Sequence, residues 1–173
     1  MNNKVYKITL TAILAALIYV ATMFFTIPLP GNGYANMGDC FVIIAGFVLG
    51  PVYGACAAGI GSALSDLTLG FGIYVPATLI IKAIMAIVAY YCLKMFTKRS
   101  GSTTVSVFIC TVITELWMVA GYFIFELCCF GGAVAAADIP GNALQGLVGA
   151  IAAGIFYSII VKTGILNKLL KHN

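Results

Sequence analysis

Apolar runs long enough to cross a membrane occupy most of this chain, and its charges are sorted around them. Asp39, Asp66, Lys82, Glu115, Glu126 and Asp138 lie within or beside the runs, whereas the other charged residues are all basic and fall in three short segments. The chain is 62% hydrophobic and 8% charged, with a mean hydropathy of +1.10, where a soluble domain carries roughly 25% charged residues. These properties describe an all-α integral membrane protein in the cell membrane. At about 20 residues per helical span, its 173 residues allow at most six spans, expected as a single membrane domain over 1–173. The net charge of +4 gives no case for nucleic acid, because the basic residues edge the apolar runs and form no solvated patch.

The expected spans are 8–26, 40–50, 52–66, 76–96, 105–125 and 143–161. The first ends at the loop IPLPGNGYANMGD, the second and third are short and divided by Gly50-Pro51, and Pro76 opens the fourth, where proline suits a first helical turn. The segment around Gly131 and Gly132 is expected to be a loop. Spans two and three could instead form a re-entrant hairpin without changing the topology elsewhere.

Lys and Arg orient the bundle, since short loops rich in them stay in the cytoplasm. Lys4 and Lys7 precede span one, Lys94, Lys98 and Arg99 follow span four, and Lys162, Lys168 and Lys171 follow span six, so both termini are expected to be cytoplasmic. The first apolar segment is longer than the core of a secretory signal and lacks a small-x-small cleavage site, so it is expected to remain as a helix. The six cysteines show no CxxC or Cys/His spacing, and the single histidine is His172 at the tail. No metal site, cofactor or catalytic residue is expected; the neighbours Cys128 and Cys129 could oxidise, but they read most plainly as buried apolar thiols.

The embedded ionisable groups carry the functional argument, because a charge at the centre of a membrane helix costs about 2.5–3.5 kcal/mol on insertion scales and needs a partner, a wet cavity or a ligand. Lys82 lies roughly 9 Å and Glu115 roughly 15 Å into their spans at 1.5 Å per residue, depths that overlap. They could pair with each other and tie two helices together, or face a cavity and hydrogen-bond a solute. Glu115, Tyr122 and Glu126 share one helical face, and Asn142 and Gln145 are three apart on the last span. Asp39, Asp66 and Asp138 fall at outer helix ends, and Tyr34, Asn36 and Tyr74 lie in outer loops. The set converges on the outer half and suits a planar solute needing stacking and directed hydrogen bonds; interfacial tyrosines and helix caps are the alternative. Trp117 falls off the Glu115–Tyr122 face and is given no stacking role.

Small residues indicate close helix packing: Gly54, Ala58, Gly61 and Ser65 on span three, Gly146, Gly149 and Ala153 on span six, and Ala12 and Ala16 beside Ala15 on span one.

The run GYANMGDCFVIIAGFVLGPVYGACAAGIGSALSDL (Gly33 to Leu67), with IYVPATLIIKA (Ile73 to Ala83), resembles the substrate-binding S components of energy-coupling factor (ECF) vitamin transporters. ELWMVAGYFIFE (Glu115 to Glu126) and PGNALQGLVGA (Pro140 to Ala150) look like the fifth and sixth helices of that family. The resemblance implies a six-helix protein that binds a vitamin or precursor from outside. It also implies partners: a transmembrane scaffold subunit, on which the small helix-one face of Ala12, Ala15 and Ala16 docks, and two cytoplasmic ATPases. The chain has no GxxxxGK[ST] loop of its own. It is most similar to the riboflavin branch, which includes pyridoxine-type and hydroxymethylpyrimidine-type transporters. Lys82, Glu115, Asn142 and Gln145 offer donors and acceptors to such a ring, and a B6 or thiamine-precursor ring is favoured over riboflavin. The competing classes are a small membrane enzyme using Glu115, Asp66 or Asp138, which lack the spacing of an acid–base pair, and a stand-alone facilitator.

Overall fold

The computed structural model of the protein describes residues 3–30, 32–99 and 103–163. The side chains of Lys98 and Arg99, residues 100–102 of the KRSGS break, and Lys168, Lys171 and His172 lie outside the described residues.

Five long helices and one short hairpin make up the described chain: α1 (Asn3–Phe24), β1 (Thr26–Pro28), β2 (Tyr34–Asn36), α2 (Asp39–Leu69), α3 (Val75–Arg99), α4 (Thr103–Phe130) and α5 (Gly132–Lys162). All five helices are long and apolar enough to cross a membrane. The bundle is apolar on its outside, with Phe24, Val52 and Leu116 more than 60% exposed. Inside it are Asp39, Asp66, Lys82, Glu115, Glu126, Asp138, Asn142 and Gln145, all buried. A bundle with polar groups within and apolar groups without is stable only where lipid is the solvent.

The expected spans 40–50 and 52–66 lie in one element, α2, which breaks at Gly50. There φ is 79° and ψ is −175°, a conformation that a side chain would strain. Pro51 begins the second half at a position where its missing N–H costs nothing. The chain folds back sharply: a Cβ on Gly54 would stand 2.8 Å from the Ala45 carbonyl oxygen. The first half, Asp39 to Leu49, is about 16 Å long at 1.5 Å per residue, roughly half a hydrocarbon core. Asp39 therefore starts its helix deep in the bundle and not at the outer end where the sequence placed it. The hairpin of β1 and β2, which pairs Ile27 with Ala35, fills the space above it.

The final helix begins at Gly132, where a loop was expected. Alanine is the strongest helix former, so Ala133 to Ala137 continue as helix, and the break contracts to Gly131 at φ 88°. Asp138 and Pro140 consequently lie within α5, and Asp138 is not a helix-end residue.

Close backbone contacts hold the helices together. Gly61 approaches α1 so nearly that a Cβ there would lie 2.6 Å from the Ala15 carbonyl oxygen, and Ser65 Oγ donates to the Tyr19 carbonyl at 3.4 Å. Among the cysteines, Cys40 and Cys110 are buried and Cys56 is exposed; Cys128 and Cys129 are exposed too, so the buried-thiol expectation fails for that pair. Lys7 stands 5.9 Å from the Tyr53 ring and Lys94 5.7 Å from the Tyr90 ring. Phe47 and Tyr157 meet edge to face at 4.8 Å. The start of α1, the Gly50 break and the C-terminal parts of α3 and α5 thus share one end of the bundle, and the hairpin covers the other.

Candidate functional site

At the hairpin end, residues from four helices and the hairpin enclose a small polar cavity lined by Gly33, Tyr34, Asn36, Asp66, Tyr74, Thr78, Tyr122, Glu126, Asn142 and Gln145. Its volume is about 20 Å³, room for roughly one water molecule. Tyr34 donates a short hydrogen bond to Asp66 Oδ1. Burial first, and then the Asp66 carboxylate beside it, push the Tyr34 phenol well above its ordinary range, so the hydroxyl remains a donor. Tyr74 donates to Glu126 Oε1 at 3.3 Å, and the hydroxyls of Thr78 and Tyr122 share a hydrogen bond of 3.0 Å. Tyr34 packs on Phe71 at 4.7 Å and Tyr74 on Phe125 at 5.1 Å, giving the cavity aromatic flanks.

The hairpin is tied down from below. Gln145 accepts from the Asn36 backbone N–H at 2.8 Å through Oε1 and donates to Asp39 Oδ2 at 2.5 Å through Nε2. Asn36 Oδ1 in turn accepts from the Gly38 N–H at 2.8 Å, and the Gly33 N–H donates to Asp138 Oδ2 at 3.2 Å. A polar ladder therefore runs from the loop into the bundle.

Seven of the ten expected site residues line the cavity: Tyr34, Asn36, Asp66, Tyr74, Tyr122, Asn142 and Gln145. Asp39, Lys82 and Glu115 do not. The ion pair is Lys82 with Asp39, not Lys82 with Glu115, and both partners are almost completely buried. Depth counted from span ends misses this pair because α2 begins deep. Lys82 Nζ also stands 5.4 Å from the Tyr122 ring centroid, below the cavity.

Glu115 sits against the bare glycine face of α5, where a Cβ on Gly149 would collide with Glu115 Oε1 and lie 3.1 Å from Asp39 Cβ. Neither Glu115 carboxyl oxygen has a hydrogen-bond partner among the described residues. Its neighbours Val112, Leu116, Val119 and Leu147 line an apolar groove of about 240 Å³.

Three cavity residues were outside the expected set: Gly33, Thr78 and Glu126. Glu126 was visible on the Glu115–Tyr122 face. Thr78 lies one turn before Lys82, a spacing that puts it on the same face of α3. Trp117 is a packing residue whose Nε1 donates to the Ile81 carbonyl at 3.1 Å. Ala12 and Ala16 are exposed and Ala15 is half-buried. With Ile8, Tyr19, Tyr53 and Ile60 they line a second apolar groove, of about 680 Å³, between α1 and α2.

A lipid-embedded helical bundle with a polar cavity under an end loop defines the class of membrane-bound solute carriers. Residues 2–162 match the family described as ECF-type riboflavin transporter, S component. The chain is 32% identical to the thiamine precursor transporter HmpT of Lactococcus lactis subsp. cremoris (strain MG1363), over 98% of this chain and 96% of that protein. It is 31% identical to an uncharacterized protein of Pyrococcus woesei, over 79% of this chain and 89% of that one. A solved S component of a bacterial ECF transporter shares the fold, with a TM-score of 0.65 at 19% identity over 94% of this chain and 98% of that chain. The chain belongs to the S-component family of ECF-type transporters, and is a multi-pass membrane protein of vitamin or vitamin-precursor uptake.

Proposed function

We propose that this chain is the solute-binding subunit of an ECF importer for a small heteroaromatic vitamin precursor, with a hydroxymethylpyrimidine-type ring favoured and a pyridoxine-type ring next. The carrying observation is the cavity of about 20 Å³ enclosed by the hairpin. A space for about one water must widen for any ring, and a one-ring solute asks for less widening than a three-ring flavin with its side chain. The similarity to the thiamine precursor transporter over nearly the whole chain supports the same choice, while the family description keeps riboflavin as the alternative.

In this reading the whole chain is one membrane domain of six helical segments, α2 contributing two. The Lys7 and Lys94 end faces the cytoplasm with both termini, and the cavity opens outward. Tyr34, Asn36, Asp66, Tyr74, Tyr122, Asn142 and Gln145 contact the solute; Asp39 and Lys82 support them from below, and Glu115 lies outside the contact set. The exposed Ala12 and Ala16 face, with Ala15 behind it, receives the scaffold subunit, and two ATPases supply the energy. Uptake of labelled hydroxymethylpyrimidine by cells producing this chain tests the reading. Uptake only with the scaffold and active ATPases supports it, and equal uptake by the chain alone would make it a facilitator.

A further inference from the structure

Among the described residues, no basic side chain lines the cavity. Lys82, the nearest candidate, is held by Asp39 below the Tyr122 ring. Two carboxylates do line it, Asp66 from α2 and Glu126 from α4, at 2% and 1% exposure. Each has one oxygen engaged by a tyrosine hydroxyl, Tyr34 on Asp66 Oδ1 and Tyr74 on Glu126 Oε1. The second oxygens, Asp66 Oδ2 and Glu126 Oε2, are buried and accept no hydrogen bond of good geometry among the described residues, with the Thr78 hydroxyl beside Asp66 and the Asp138 carboxyl beside Glu126. A carboxylate oxygen withdrawn from water without a donor is costly, and the cost is removed when a donor arrives. The tyrosine bonds leave those two oxygens as the acceptors available to an incoming molecule.

We propose that Asp66 and Glu126 are the specificity-determining pair of this site: each accepts a hydrogen bond from an N–H or O–H of the bound solute. Together they select rings carrying such donors and reject the phosphate esters of the same rings. The assignment rests on the reading that the solute occupies this cavity. An amino group, a hydroxymethyl group or a protonated ring nitrogen supplies the missing donors. A phosphate monoester brings close to two negative charges at neutral pH and only acceptor oxygens. It would meet Asp66, Glu126 and also Asp138, since a Cβ on Gly33 would lie 3.2 Å from Asp138 Oδ2 and 3.4 Å from Glu126 Oε1. With no cation on the lining, repulsion in this water-poor site is uncompensated. The pair thus adds a charge criterion that separates a free precursor from its phosphorylated form.

Calorimetric titration of the detergent-purified protein with hydroxymethylpyrimidine and with its phosphate ester tests the assignment, on the wild type and on Asp66→Asn and Glu126→Gln. The expected result is at least hundredfold weaker binding of the ester by the wild type. Each variant is expected to bind the free ring at least tenfold more weakly and to show a smaller ring-to-ester ratio. Equal binding of ring and ester by the wild type overturns the proposal, and that arm does not depend on whether the variants fold. Folded variants that bind the ring with unchanged affinity overturn it as well. If the wild type binds no vitamin ring at all, the proposed function itself falls, and the assignment with it.

Discussion

Asp39 and Lys82 form a buried ion pair that joins the first turn of α2 to the first third of α3. Gln145 completes it by donating to the second Asp39 oxygen and accepting from the hairpin backbone. Removing one partner of a buried pair leaves an uncompensated charge at a cost of about 3–5 kcal/mol, while removing both costs much less. Lys82→Met is therefore expected to lower the thermal midpoint in detergent strongly, and Asp39→Asn combined with Lys82→Met to recover part of the loss. A double variant as unstable as the sum of the singles would show that the two side chains act independently.

Glu115→Gln should have the opposite sign. The carboxyl is 4% exposed and neither oxygen is hydrogen-bonded among the described residues, so a neutral amide of the same shape removes a desolvated acid, and its N–H₂ can donate toward Asp39. The variant is expected to melt at a higher temperature, with solute affinity within about threefold because the side chain is outside the cavity lining. A tenfold loss of affinity would place Glu115 in contact with the solute.

Gln145→Ala removes both links of the ladder between Asp39 and Asn36. Loss of a hydrogen bond to a charged group is worth about 1.5–3 kcal/mol, so solute binding should weaken at least tenfold, chiefly through faster release measured by stopped-flow chase. An unchanged release rate would mean that the hairpin is held elsewhere.

Two substitutions on the α1–α2 side should separate packing from docking. Gly61→Val drives a side chain into the Ala15 backbone and should cost about 1–3 kcal/mol in stability. Ala12→Leu points to the lipid-facing groove and should leave stability and solute binding intact while abolishing uptake by the assembled transporter. Normal uptake by Ala12→Leu would remove that face from the docking surface.

Much of this arrangement is written in local chemistry. The apolar runs mark the helices, Gly50-Pro51 marks the break in α2, and the polar residues Tyr34, Asn36, Asp66, Tyr74, Tyr122, Asn142 and Gln145 are conspicuous because lipid leaves them no other reason to persist. What was hidden is depth. Counting residues from the end of a hydrophobic run assumes that each run begins at the membrane surface, and α2 begins inside, so Asp39 pairs with Lys82 where the overlapping depths had offered Glu115 as one alternative. The start of α5 was hidden for another reason: a Gly/Ala-rich stretch reads as a loop from its glycines and as a helix from its alanines, and from Gly132 onward the helix prevails.

The most direct test of the account is a thermal-shift screen of the purified protein against hydroxymethylpyrimidine, pyridoxine, pyridoxal, thiamine and riboflavin. A ligand at a thousandfold excess over its Kd adds about 4 kcal/mol of stability. A large upward shift with hydroxymethylpyrimidine, reduced in Gln145→Ala, is the predicted result. A shift with riboflavin alone, or with none of the five, would contradict it.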